Sequence, residues 1–227
     1  MIALACPGRP TLPVGKIVAV GRNFADHARE MGHAAPDAEP LLFLKPSSAL
    51  VPGGGLIELP EFSDEIDHEV ELVVRIGRDG RRLDRAQAAA AIDAIAVGLD
   101  LTARDLQRRA KAAGDPWAVA KGFDQSAPLS ALIALDDAAR LAALAVELRV
   151  NGELRQQGAT AAMITPVIDL VRFASHRFRL EAGDLIFTGT PAGVGRLRRG
   201  DRALATLRDV DAATGAAPCA TLAIECR

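Results

Sequence analysis

Residues 68–76 constrain the fold more than any other segment. His68, Val70, Leu72 and Val74 alternate there with Glu69, Glu71, Val73 and Arg75, the two-residue period of a β-strand. The spacing predicts one strand that carries Glu69 and Glu71 on the same side, with Cβ atoms ~7 Å apart and carboxylates able to close around one cation. Such a strand needs partners, and the chain supplies apolar runs at 16–20, 41–44, 92–101, 184–188, 203–208 and 219–225. Val146, Leu148 and Val150 alternate up to Asn151-Gly152, a strong short hairpin signal, with 153–157 as the returning strand.

Helix signals are fewer and shorter. Asn23 is placed to cap a helix through Phe24, Ala28 and Met31 that Gly32 would end. Asp84 with Gln87 reads as a capping box, and Thr102 with Asp105 as a second cap, opening a helix that Gly114 and Pro116 close. Thr165-Pro166 should open another, to about Phe173. This order lacks βαβ alternation and predicts an α+β fold.

With 227 residues, 49% of them hydrophobic, the chain can bury a full core and suits one larger domain. A formal charge of -2 supplies no basic field for nucleic acid or an anionic membrane. Cys6, Cys219 and Cys226 show neither a disulfide framework nor a C-x-x-C zinc spacing, which fits a reducing cytoplasm. The apolar start is too short for a signal-peptide core, so a cytoplasmic protein is expected.

Several polar residues fit a chemical role, each against a plainer alternative. If Asp100 joins Glu69 and Glu71 from the end of a neighbouring strand, three hard oxygen ligands select Mg²⁺, Mn²⁺ or Ca²⁺. For an arbitrary E-x-E pair the plainer reading is a solvated strand face. His27 and Glu30, one helical turn apart, suit either a base held by a carboxylate or an ordinary surface contact, and the residues alone favour the contact. Lys45 and Lys121 would each steady an oxyanion, or sit solvated. Thr188-Gly189-Thr190-Pro191 reads as a turn whose backbone N–H groups could hold a carboxylate.

Taken together, Gly21-Arg22-Asn23-Phe24, Ala25-Asp26-His27, Phe43-Leu44-Lys45-Pro46, His68-Glu69-Val70-Glu71-Leu72, Leu99-Asp100-Leu101-Thr102-Ala103-Arg104-Asp105, Ala120-Lys121-Gly122-Phe123, Val150-Asn151-Gly152-Glu153 and Thr188-Gly189-Thr190-Pro191 resemble, in order and approximate spacing, the fumarylacetoacetate hydrolase family. The resemblance is to its short single-domain acylpyruvases. It implies a β-rich mixed-sheet fold of sandwich or roll type with short flanking helices, residues 1–15 as an N-terminal extension and residues 16–227 as a single catalytic domain. It further implies a homodimer with Mg²⁺ or Mn²⁺ on Glu69, Glu71 and Asp100, Ca²⁺ being an alternative in a crystal.

The same resemblance makes His27 and Glu30 a water-activating dyad on a segment that orders over the substrate, and Lys121 the lysine beside the reacting carbonyl. Arg22, Lys45, Arg104, Gln107 and Thr190 match pocket-lining or substrate-binding positions. Phe24 departs from the pattern, since many relatives carry Tyr there. The expected activity is cleavage of a small 2-oxo acid, an acylpyruvate of the fumarylpyruvate type, to pyruvate and a carboxylic acid, with oxaloacetate decarboxylation as a second reaction. Two rivals stand beside it: an isomerase or decarboxylase of 2-hydroxymuconate-type acids in aromatic catabolism, and a non-catalytic metal-stabilised interaction domain.

Overall fold

A computed structural model describes residues 2–30, 39–210 and 217–227; Met31 and Gly32, expected to finish the first helix, lie outside them. The fold is mixed α+β, mostly strands in a curled arrangement with few helices. Its central mixed sheet runs Leu41–Lys45, Ile17–Gly21, Leu185–Phe187, Val70–Ile76, Ile92–Leu99, Ala127–Leu129, Leu50–Pro52 in spatial order. Two pairings are parallel, Leu185–Phe187 with Ile17–Gly21 and Ala127–Leu129 with Leu50–Pro52; the others along this path are antiparallel. A second sheet orders Glu153–Ala159, Leu144–Val150, Arg202–Asp209, Ala220–Cys226 and Gly55–Ile57.

Both faces of the central sheet are buried, which explains why Val70–Ile76 is covered at every position. Val70, Leu72, Val74 and Ile76 pack in one core with Val146, Leu148, Ala205, Leu207 and Leu222 of the second sheet. Val73 joins a separate core on the opposite face with Ile17, Ala19, Phe187 and the N-terminal residues Leu4 and Cys6. Residues 1–15, expected as an extension, contain a hairpin of Ala3–Cys6 and Arg9–Pro13. Arg75, fully buried, fixes it by donating to the carbonyls of Leu4 and Pro10 while gripping Asp93 with two nitrogens.

Three expectations are corrected. Residues 68–76 are not one strand: Ile66–His68 belongs to a small sheet with Thr102–Ala103 and Gly195–Leu197, and Glu69 sits at the break before Val70–Ile76 enters the central sheet. Thr102 and Asp105 form no cap, because Ala103 occupies the N-cap of Arg104–Ala113, Thr102 is a strand residue bonded to the Asp100 carbonyl, and Asp105 accepts from Ser63. Asn23 does not cap the first helix either. Its amide donates to the carbonyls of Thr165 and Thr188, and its oxygen accepts from the Thr165 N–H.

Local signals hold where the chain is their own partner. Asp84 and Gln87 form the reciprocal capping box of Arg85–Ala91. Asn151 (φ 52°) and Gly152 (φ 85°) both adopt the left-handed conformation that a tight type I′ hairpin turn requires. Gly114 closes its helix with φ 76°. Among the described residues no helix is long and apolar enough to cross a membrane.

Candidate active site

The break at Glu69 gathers the carboxylates. Glu69 follows the small sheet, Glu71 lies one residue into the central sheet, and Asp100 follows Ile92–Leu99, whose pairing with Val70–Ile76 is completed by a bond from Asp100 N to the Glu69 carbonyl. The carboxylates of Glu69, Glu71 and Asp100 each offer an oxygen within 4.8 Å of the others, and all three residues are buried. Like charges held this close in a dry site must be balanced.

Lys121 supplies much of that balance. Its ammonium donates to Glu69 Oε2 at 2.7 Å, Asp100 Oδ2 at 2.6 Å and Thr102 Oγ1 at 2.7 Å, using all three of its hydrogens. Burial works against its charge, but Asp100 and Glu69 hold its pKa above the ordinary lysine value. Burial likewise opposes ionisation of Glu69, yet the Lys121 and Arg104 charges keep that carboxyl well below the usual carboxylate range. Glu71 takes the opposite course. Burial raises it far above the usual range, the negative charges of Asp100 and Glu69 raise it further, and one bond from the Gly189 N–H at 2.6 Å only partly offsets them.

That bond realises the expected carboxylate-holding turn, but for the protein's own Glu71. Gly189 has φ 101°, and a Cβ there would stand 2.6 Å from Asn23 Cβ, so the turn requires glycine. Thr190, expected near substrate, is buried with its hydroxyl accepting from Gln156.

The remaining expected site residues divide into two groups. Lys45 is fully buried behind Asp100, donating to carbonyls of Leu101, Lys121 and Ser126 and to the Ser126 hydroxyl. Its Nζ lies 2.8 Å from Asp100 Oδ1, a buried ion pair. Arg104 is also committed internally, pairing with Asp67, Glu69 and the Gln107 side-chain oxygen. Arg22, at a φ of 61°, forms no hydrogen bond or ion pair with another described residue.

His27 is 7% exposed and Glu30 37%, with Nδ1 and Oε2 3.6 Å apart. That separation exceeds a hydrogen bond, and Nδ1 makes no hydrogen bond to another described residue. Glu30 instead accepts from the Gly193 N–H at 3.1 Å, tying the first helix to the segment beyond Pro191. Burial lowers the His27 pKa below the ordinary histidine value against the opposing pull of Glu69, so the imidazole is neutral at pH 7.

Three residues not expected among the site residues belong to this region. Thr102 anchors Lys121, and Lys111 feels Arg104, Arg22 and Lys121, whose charges add to partial burial in lowering its pKa. Gln156 joins His68, Val70, Thr190 and Pro191. Lys111 follows Arg104 and Gln107 on one helical face, a periodicity visible in the sequence. For Gln156 the sequence holds only a polar residue in a returning strand.

The fumarylacetoacetate hydrolase C-terminal family pattern matches residues 16–218. The chain is 45% identical over 195 residues to an oxaloacetate tautomerase of Escherichia coli, covering 86% of this chain and 89% of that protein. The crystal structure of fumarylpyruvate hydrolase from Pseudomonas aeruginosa, in complex with Mn²⁺ and pyruvate, superposes with a TM-score of 0.89 at 36% identity, covering 99% of this chain and 95% of that one. A 5-carboxymethyl-2-hydroxymuconate delta-isomerase from Mycobacterium smegmatis matches with a TM-score of 0.79 at 36% identity over 94% of this chain and 78% of its own.

Proposed function

The chain belongs to the fumarylacetoacetate hydrolase family, and from that premise we propose a metal-dependent enzyme that enolises small 2-oxo acids, with keto–enol tautomerisation of oxaloacetate as its main reaction. The residues present fit a divalent cation. Glu69, Glu71 and Asp100 are hard, buried oxygen donors within 4.8 Å of one another, and Asp100 Oδ1, paired with the Lys45 ammonium at 2.8 Å, keeps a second lone pair for a cation. A Mg²⁺ or Mn²⁺ ion held there would supply Lewis acidity that favours the enolate form of a 2-oxo acid.

The protein's own groups do the rest. Lys121, pinned between Glu69 and Asp100, sets a fixed positive charge beside the site where oxyanion character develops. Arg22 and Lys111 add positive potential that draws an acid anion in. His27 takes the proton from the carbon next to the ketone and returns it to oxygen or carbon, which needs a neutral imidazole near pH 7.

The observation that carries this reading is a buried, neutral His27 whose Nδ1 sits at ion-pair distance from Glu30, 3.6 Å, and makes no hydrogen bond to a described residue. Either reaction makes His27 an imidazolium as it takes a proton, but hydrolysis also needs an attacking water held and oriented beside the ring, a requirement that tautomerisation lacks. The tautomerase relative supports the same choice. Cleavage of acylpyruvates is the second reading, favoured by the likeness to the Mn²⁺- and pyruvate-bound hydrolase.

The test is a paired assay with Mn²⁺ present: loss of the oxaloacetate enol by absorbance, and pyruvate release from acetylpyruvate and fumarylpyruvate. Faster enol conversion than pyruvate release is expected. The reverse order would install hydrolysis as the main reaction, and no turnover in either arm would return the chain to a binding role.

A further inference from the structure

The edge of Val70–Ile76 opposite Ile92–Leu99 is only partly paired. Leu72 directs its carbonyl to the N–H and hydroxyl of Thr188, the last residue before the chain turns away at Gly189. Val70 lies two residues earlier and so points its N–H to the same edge, where no strand continues. A buried amide N–H without an acceptor is costly. Gln156, 1% exposed and reaching across from the second sheet, supplies that acceptor through Oε1 at 3.0 Å.

The rest of the carboxamide is also used. Oε1 accepts from His68 Nδ1 at 2.9 Å, and Nε2 donates to Thr190 Oγ1 and the Pro191 carbonyl, both at 2.8 Å. The orientation is fixed by chemistry, because the Val70 N–H can only donate and the Pro191 carbonyl can only accept. Val70 stands between Glu69 and Glu71, and Thr190 follows Gly189, whose N–H holds Glu71. Gln156 thus closes a ring of contacts from the backbone of the acidic pair, through one amide, to the turn that grips one of its carboxylates.

We propose that Gln156 is a positioning residue for the metal site, setting the distance between the Glu69–Glu71 segment and the Thr188–Pro191 turn. The inference rests on the metal-site reading above and extends it to a residue that touches neither metal nor substrate. Outer-shell partners that orient ligating carboxylates change metal affinity by roughly 10–100-fold when removed. Gln156→Met fills the space without either hydrogen-bonding function. Gln156→Glu keeps the shape and the acceptor for Val70 and His68 but removes both donors to the turn.

Mn²⁺ titration by calorimetry, the electron paramagnetic resonance spectrum of the bound ion, and the thermal midpoint are measured for both variants beside Glu71→Gln. Gln156→Met should weaken Mn²⁺ binding by about 10–100-fold and alter the spectrum, and Gln156→Glu should shift both in the same direction if Gln156→Met fails to fold. Wild-type affinity and spectrum in either folded variant, with Glu71→Gln impaired, would overturn the role of Gln156 and leave the metal site standing. Unimpaired Mn²⁺ binding in Glu71→Gln would instead remove the metal-site reading itself.

Discussion

Lys121 Nζ lies 2.6 Å from Asp100 Oδ2, and the same ammonium reaches Glu69, so one buried cation spans two of the three carboxylates. Removing one partner of a buried ion pair leaves an uncompensated charge and costs about 3–5 kcal/mol. Lys121→Met should therefore lower the metal-free protein's stability by about that amount, and Mn²⁺ should raise its thermal midpoint more than it raises the wild type's. Thermal melts with and without Mn²⁺ measure this, and equal shifts in the two proteins would remove Lys121 as the counter-ion of the cluster.

Glu71 gives the metal a pH signature. Its folded-state pKa lies above the unfolded carboxylate value near 4.5, through burial and then through the charges of Asp100 and Glu69. Its contribution to metal-free stability is complete below the unfolded value and is lost as pH rises through the folded one. A cation requires the ionised carboxylate, so binding in that window releases a proton and strengthens as pH rises. Glu69, held below the usual range, adds no such release there. Calorimetry of Mn²⁺ binding in two buffers of different ionisation heat should find about one proton released per ion; none released would contradict the assignment to Glu71.

How far the site was legible depends on where each residue finds its partner. Asp84 pairs with Gln87 and Asn151 is followed by Gly152, so their chemistry is complete within a few residues and the sequence displays it. Asn23 carries the same local capping signal, but its amide bonds Thr165 and Thr188. Thr102 was likewise read as a cap, yet Lys121 and the Asp100 carbonyl claim its hydroxyl. The acidic trio was readable as residue types in order, while the strand break that assembles it was not. Alternation continues across Glu69 because both sides remain extended; only the hydrogen-bonding partners change. Gln156 is the extreme case, since its importance lies wholly in groups brought from distant segments.

The two capping signals give a direct comparison. Asp84→Ala should cost about 0.5–2 kcal/mol, the ordinary loss of an N-cap, and leave turnover unchanged because Arg85–Ala91 contributes no residue to the site. Asn23→Ala leaves the Thr165 N–H and the Thr165 and Thr188 carbonyls without these partners, at about 1–3 kcal/mol for each buried group that stays unsatisfied. It also loosens the strand end that leads into Gly189 and Glu71. Denaturant unfolding with Mn²⁺ titration should show the larger stability loss and weakened metal binding only in Asn23→Ala, and equal losses would make Asn23 a simple cap after all.

The His27–Glu30 pair separates the two chemistries open to this site. His27 becomes imidazolium whether it takes a proton from carbon or from water, but hydrolysis also needs an attacking water held in line, a task a nearby carboxylate can share. Glu30 lies 3.6 Å from His27 Nδ1 and is engaged by the Gly193 N–H. His27→Ala should therefore slow oxaloacetate tautomerisation by ~10²–10⁴-fold with Mn²⁺ affinity nearly unchanged, since His27 is outside the proposed ligand set. Glu30→Gln should leave tautomerisation close to wild type and reduce any acylpyruvate cleavage much more. The pH profile carries a second sign: burial lowers the His27 pKa, so the neutral base persists as pH falls through 6.5, and tautomerisation should hold below that value. Rates of both reactions for wild type and the two variants, each at saturating Mn²⁺ from pH 5 to 8, decide between them. Equal losses of both activities in Glu30→Gln would mean that the carboxylate closes on His27 during turnover and that one dyad serves both reactions.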